Sequence, residues 1–274
     1  MSHIIDQAAE FVRRRGSPAD VGRLDYVLFG DPVSDTARSD AFAGQREDGG
    51  WPPFWAPTYS SLDATCYRLA QAEQMGIGAS DDAVRRAMRF LVGRQLPSGY
   101  WQEDLSVAAL APPWAAPGKD ETRAYLTANC GFWLAVLGVL ADEQRAAGRA
   151  AEALASDITP DARLQGFTHV NWLAAGLWRL TDHGDLANRS EQWLEQRVRD
   201  GLPSGALTWL LSTLRVAGAS PASRLVHVGV AQLATQQRMD GGWLSEDGPE
   251  REPHVTLEAM RALLWVERGV SGGC

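Results

Sequence analysis

The residues in this chain best suited to chemistry are a few ionisable groups set close to aromatic ones. Asp63 follows Tyr59 by one helical turn and precedes Cys66 and Tyr67 in PTYSSLDATCYRLA, residues 57–70. A carboxyl group held in an apolar surrounding keeps its proton to higher pH, as a general acid requires. The plain alternative is a hydrogen-bonded structural aspartate at a helix start. His254 and Glu258 are four apart and so share one face of a helix. A carboxylate beside an imidazole orients it, so the pair can act as acid, base or substrate anchor; a pair formed only for stability fits the same spacing.

Binding groups follow the same helical spacing. Tyr125, Asn129 and Trp133 recur every four residues, a mixed polar and aromatic stripe that suits a pocket with an apolar wall and a few directed hydrogen bonds. His169 and Asn171 open another helix. Asp120 and Glu121 open the one before it, where the helix dipole alone favours acids, so they read as caps. Of eleven tryptophans, Trp133, Trp172 and Trp209 fall on apolar helices. Their faces can stabilise a cation or pack an apolar guest, and core filling is the bland account of each.

Several classes of function are disfavoured. The net charge of -8 opposes a nucleic-acid surface. No P-loop, GxGxxG, nucleophile elbow or HExxH occurs, and Lys119 is the one lysine. Cys66, Cys130 and Cys274 are odd in number and free of any CxxC, and no secretory pattern opens the chain, so a reducing cytoplasm is expected. No apolar run reaches spanning length, leaving peripheral membrane contact as the most to expect. The run Arg13, Arg14, Arg15 reads as the end of a first helix, where cations complement the dipole.

These groups are positioned by a repeat. Three fragments share a glutamine followed six residues later by tryptophan: QREDGGW (Gln45 to Trp51), QLPSGYW (Gln95 to Trp101) and QRMDGGW (Gln237 to Trp243). The spacings suggest an array of about six units, each near 47 residues, with worn copies in the middle. Helical pairs fit at 3–15 and 18–29, 34–45 and 58–75, 80–95 and 120–141, 143–156 and 167–181, 185–200 and 204–217, and 221–238 and 253–268. The opening helix of the third pair shows the rule: Ser80 caps it, Val84, Ala87, Met88 and Leu91 form its buried stripe, and arginines hold the other face. Second helices such as TANCGFWLAVLGVL (127–140) are apolar all round and belong inside the first ones. The expected fold is all-α: one domain over residues 1–274, a toroid of six outer/inner helical hairpins, (α/α)6. In each fragment the glycine permits a tight turn, the indole packs under the next repeat and the glutamine bonds backbone at a helix terminus. Residues 97–119 are too long for an ordinary connection and are expected to form a lid.

The Gln-to-Gly-Trp fragments resemble the QW repeats of squalene-hopene cyclases, and the alternating helices are similar to the α/α toroid of triterpene cyclases, class II diterpene cyclases and protein prenyltransferase β subunits. The segments at 57–70 and 252–266 look like that superfamily's inner-helix starts. The resemblance implies a hydrophobic polyene or isoprenoid-like substrate and cyclisation or isomerisation begun by proton transfer, in natural-product biosynthesis. Two departures limit it. No DxDD, the acid motif of class II cyclases, occurs. His254 sits where the prenyltransferase zinc histidine would be expected, yet no Asp-x-Cys precedes it, so no zinc and no other cofactor is expected. Asp63, His254 and Glu258 stand as catalytic candidates, with Tyr59, Tyr125, Asn129, Trp133, His169, Trp172 and Trp209 around the substrate. A non-catalytic toroid binding a hydrophobic ligand or a partner protein, and a cyclase of a non-terpenoid product, remain the alternatives.

Overall fold

The computed structural model describes residues 2–271; Cys274 lies outside them. Among the described residues twelve α-helices follow one another: α1 (Ser2–Arg15), α2 (Pro18–Phe29), α3 (Asp35–Phe42), α4 (Leu62–Gln74), α5 (Asp82–Gly93), α6 (Asp120–Leu137), α7 (Ala141–Ser156), α8 (Thr168–Leu180), α9 (Gly184–Arg199), α10 (Ser204–Val216), α11 (Arg224–Thr235) and α12 (Glu252–Ser271). These are the six expected pairs. One isolated antiparallel bridge, Trp51 to Ser61, leads into α4. No described helix is long and apolar enough to cross a membrane.

By its contacts the chain divides into two compact units, Met1–Asp40 with Glu191–Cys274, and Ala41–Ser190, where the sequence suggests one domain. In the 41–190 unit α6 packs against α4, α7 and α8. Every residue from Ala124 to Leu134 is buried, which explains an apolar helix with no polar face. In the other unit α12 packs against α1, α2, α10 and α11, and Val255 to Leu263 are buried without a break. α1 closes on Arg13, Arg14 and Arg15 in its last turn, and α5 buries Val84, Ala87, Met88 and Leu91. Its cap is Asp81, whose carboxylate accepts from the Ala83 amide at 2.8 Å, rather than Ser80. A charged acceptor one residue nearer the helix satisfies the dipole better than a hydroxyl.

The three glutamine–tryptophan fragments form one device repeated. Each glutamine donates from Nε2 twice: to the carbonyl of its own turn glycine (Gly49, Gly99 or Gly241, 2.9 Å each) and to a carbonyl of another outer helix, at Ala83 (2.8 Å), Ala146 (2.9 Å) or Ile4 (2.9 Å). Each tryptophan amide donates to a threonine hydroxyl on an inner helix, Thr65, Thr127 or Thr256, at 3.0–3.2 Å. The indoles are buried, and their Nε1 groups donate to the carbonyls of Phe42, Leu91 and Leu233. Burying an indole removes some 150–250 Å² from water, about 4–6 kcal/mol as an upper bound. The glycine is required twice over. Gly99 and Gly241 each have φ +89°, and a Cβ would lie 2.7 Å from the Arg149 carbonyl and 2.3 Å from the Gln7 carbonyl.

The 97–119 connection is tied down along its length. Trp101, Glu103, Val107 and Ala115 are buried and the Thr122 hydroxyl donates to the Pro113 carbonyl at 3.1 Å, while Leu105 and Leu110 stay exposed. Lid motion of the whole segment would pull Trp101 and Glu103 out of the core.

Gly241→Ala is expected to lower unfolding free energy by roughly 2 kcal/mol or more, from positive-φ strain plus the carbonyl clash. Gly148→Ala, in open space on α7, should be neutral or stabilising by up to about 1 kcal/mol. Urea unfolding of both variants decides the matter; equal effects would remove the close-approach explanation.

Candidate functional site

Asp63 stands on the first turn of α4. That turn begins where it does because the Ser61 hydroxyl accepts from the Ala64 amide at 3.3 Å, and the Ser61 amide donates to the Trp51 carbonyl at 3.0 Å. The aspartate is half-buried. Its Oδ1 accepts a hydrogen bond from the hydroxyl of Tyr125 on α6, and that hydroxyl accepts from the Asn129 amide at 3.3 Å. Tyr125 is 4% exposed. Burial, and then the Asp63 charge, push its phenol pKa well above the usual tyrosine range, so the phenolic proton stays on and points at the carboxyl.

The start of α8 supplies an aromatic wall. The His169 ring meets Tyr125 edge-on at 4.6 Å, stacks on Phe167 at 5.2 Å and lies 6.0 Å from Trp172. Burial lowers the His169 pKa to about 4, so the ring is neutral at physiological pH and works as an aromatic plate. Trp172 and Trp133 keep only 2% and 7% of their surface, so in this conformation both are core side chains, with Trp133 edge-on to Phe132 at 5.1 Å. Asn171 clasps the Leu164 backbone, accepting from its amide at 2.7 Å and donating to its carbonyl at 3.3 Å. This fixes the entry of α8.

Tyr59 serves a different partner. Its hydroxyl accepts from Arg94 Nη2 and from the Asp104 amide, both at 2.9 Å, and donates to Glu103 Oε2 at 2.9 Å. Burial, with the Glu103 charge second, raises its pKa to about 12. Glu103 has no exposed surface, and burial raises its pKa. One overlooked signal pointed to Glu103: an acid two residues past the Trp101 staple. Cys66 and Cys130 touch under the site with sulfurs 3.8 Å apart, both thiols pushed up by burial.

His254, Glu258 and Trp209 belong to the other unit. Arg23, wholly buried on α2, donates from Nη2 to His254 Nδ1 at 2.8 Å and pairs with Asp20 at 2.7 Å. With Nδ1 accepting, the proton of the neutral ring sits on Nε2, 3.6 Å from Glu258 Oε1. Burial, then Arg23, Arg251 and Arg261, hold the His254 pKa well below the usual histidine value. Such a ring is a neutral N–H donor, chemically an anchor rather than a proton source. Arg23 is also missing from the sequence candidates, although a cation on the buried stripe of α2 announces a buried acceptor. Trp209 is half-buried on α10. Among the described residues no group of three or more His, Cys, Asp or Glu could hold a metal ion.

No family model and no curated protein matches this chain. Solved structures do. A variant of the type II terpene cyclase MstE from Scytonema, in complex with geranylgeranyl dihydroxybenzoate as substrate, superposes with a TM-score of 0.66 at 14% identity, covering 98% of this chain and 97% of that one. MstE in complex with merosterolic acid A as product gives 0.63 at 13% identity, covering 98% and 97%. A protein from Actinoplanes gives 0.64 at 15% identity, covering 97% and 99%. The fold is thereby an all-α toroid of terpene-cyclase type.

The two depressed histidines make stability depend on pH. Each binds a proton more readily unfolded, near pH 6.5, than folded, so its contribution is complete above about pH 6.5 and declines below it. For His169 the decline runs to about pH 4, with a slope near 1.4 kcal/mol per pH unit at most. Urea unfolding across that window should show the fall, and His169→Gln should make it shallower; an unchanged slope in that variant would show the ring is not buried neutral.

Proposed function

We propose that this protein is a terpene-cyclase-like enzyme that cyclises or isomerises a hydrophobic polyene or isoprenoid-like substrate by proton transfer, with Asp63 as the acid. The observation that carries the proposal is a half-buried carboxyl group, oriented by a buried tyrosine hydroxyl, beside a wall of Tyr125, Phe167 and His169. Support comes also from the likeness to a type II terpene cyclase, whose solved complexes hold a prenylated aromatic substrate and its product.

In the proposed reaction the Asp63 proton adds to a terminal alkene carbon, forming a C–H bond and a tertiary cation. The next double bond closes on the cation, loss of a proton from carbon to water ends the sequence, and the Asp63 carboxylate, which is half-buried, takes up a proton from solvent for the next turnover. Substrate and product are isomers, and no cofactor enters. Tyr125 occupies Oδ1 as a donor, leaving Oδ2 to carry the transferred proton, and the π faces of Tyr125 and Phe167 stabilise the moving positive charge. Asn129 holds the Tyr125 hydroxyl from behind, and Trp172 lies beside the His169 ring. The missing DxDD favours a second reading, a toroid that binds a hydrophobic ligand without turning it over.

Incubation in D2O with linear prenylated substrates, beginning with geranylgeranyl dihydroxybenzoate, should give a cyclic isomer with one deuterium retained at carbon. Asp63→Asn should lower turnover on the order of 10²–10⁴-fold, and Tyr125→Phe roughly tenfold, without loss of fold. Full turnover by folded Asp63→Asn overturns Asp63 as the acid, and saturable binding with no isomer formed selects the non-catalytic reading.

A further inference from the structure

Glu103 is a buried carboxylate that neither the motif pattern nor the proposed proton transfer employs. It arrives from the connection after Trp101 and is fully enclosed at the first turn of α4. Oε1 accepts from the Ser61 hydroxyl at 2.6 Å, the Leu62 amide at 2.9 Å and, at 3.5 Å, the amide of Asp63 itself. Oε2 accepts from the Tyr59 hydroxyl at 2.9 Å. The Tyr59 hydroxyl already accepts from Arg94 and from the Asp104 amide, so its own proton has only Glu103 to go to. Burial raises the Glu103 pKa, and the hydroxyl and amide hydrogen bonds donated to it oppose that rise and favour the anion.

A helix-capping carboxylate is not in itself unusual. In the other unit Glu246 accepts from the Gly205 and Ala206 amides at 3.4 and 3.2 Å at the start of α10. Glu246 is exposed, however, and water screens it; Glu103 is enclosed and lies one peptide from the candidate acid. A charge sealed at that place acts on Asp63 through low-dielectric protein.

We propose that Glu103 is the positioning residue of the acid: it fixes the first turn of α4 and, as a buried fixed anion, keeps the proton on Asp63. This inference rests on the reading of Asp63 as the proton donor. Groups near Asp63 include Cys66 on its own helix, Tyr125 and Cys130 on α6, His169 on α8 beyond Tyr125, and Tyr59, Asp104 and Arg94 around Glu103. Asp104 is exposed and Arg94 is a cation. Glu103, enclosed and bonded to the Asp63 amide, is an anion placed to oppose ionisation of Asp63.

The test needs no substrate. The full chain is labelled with ¹³C at aspartate and glutamate side-chain carboxyls, the Asp63 and Glu103 signals are assigned by difference with Asp63→Asn and Glu103→Gln, and both are followed against pH. Glu103→Gln keeps one acceptor for the α4 turn but removes the charge, so the midpoint of the Asp63 signal should move to lower pH by about one unit or more, a tenfold change in proton affinity. Glu103→Asp should restore most of it. An unmoved Asp63 midpoint in folded Glu103→Gln reduces Glu103 to a cap and overturns the proposal. Should Glu103→Gln fail to fold, the wild-type titration decides, with the Glu103 signal assigned through Glu103→Asp: Glu103 must ionise at lower pH than Asp63, and a Glu103 midpoint at or above that of Asp63 overturns the proposal. A coupled pair in a protein that turns over no prenylated substrate would leave this inference standing and remove the enzymatic reading alone.

Discussion

The hydrogen bonds of three glutamine side chains to the backbone of other outer helices underlie the rest of this structure. A glutamine amide can donate twice, and here one bond closes its own turn while the other grips another outer helix. Both acceptors are main-chain carbonyls, so the link survives wide sequence change in the helix it grips. The glycine in the turn lets two backbones approach to a distance at which no side chain fits. The buried indole then makes separation costly.

That junction also determines what can be built beyond it. The tryptophan amide bonds a threonine on an inner helix, so the residues following each tryptophan are delivered to the start of an inner helix. After Trp101 this delivers Glu103 to the turn that carries Asp63; after Trp243 it delivers Glu246 to the start of α10. One mechanical device thus yields an enclosed carboxylate in one place and a solvent-exposed cap in another. The candidate chemistry differs because burial differs, and burial governs the reach of a charge.

Helix identity was legible because amphipathic and all-apolar segments alternate in a period that the three fragments mark. Boundaries shifted by up to four residues, as where α4 starts at Leu62 rather than 58 and α6 ends at Leu137 rather than 141, and at α5 because Asp81 caps in place of Ser80. Part of the site was legible for a similar reason: Tyr125 and Asn129 share a helix face, so the hydrogen bond between them follows from spacing four. That Tyr125 meets Asp63, or that His169 stands edge-on to Tyr125, joins positions on different helices. No local pattern encodes such a meeting. Trp172 shows the converse: an aromatic on an apolar helix looks the same in sequence whether it faces a guest or fills the core, and here it is almost wholly buried.

The sequence by itself determined the twelve-helix array, the staples and the absence of a DxDD acid, because periodicity, glycine and motif spacing are local properties of the chain. Only the tertiary structure decided which ionisable groups are enclosed and with whom. It seated Glu103 under Asp63 and tied His254 to Arg23, residues separated by 40 and 231 positions. Proton affinity depends on the charges and the dielectric around a group, and those are set by the packing of segments remote in sequence.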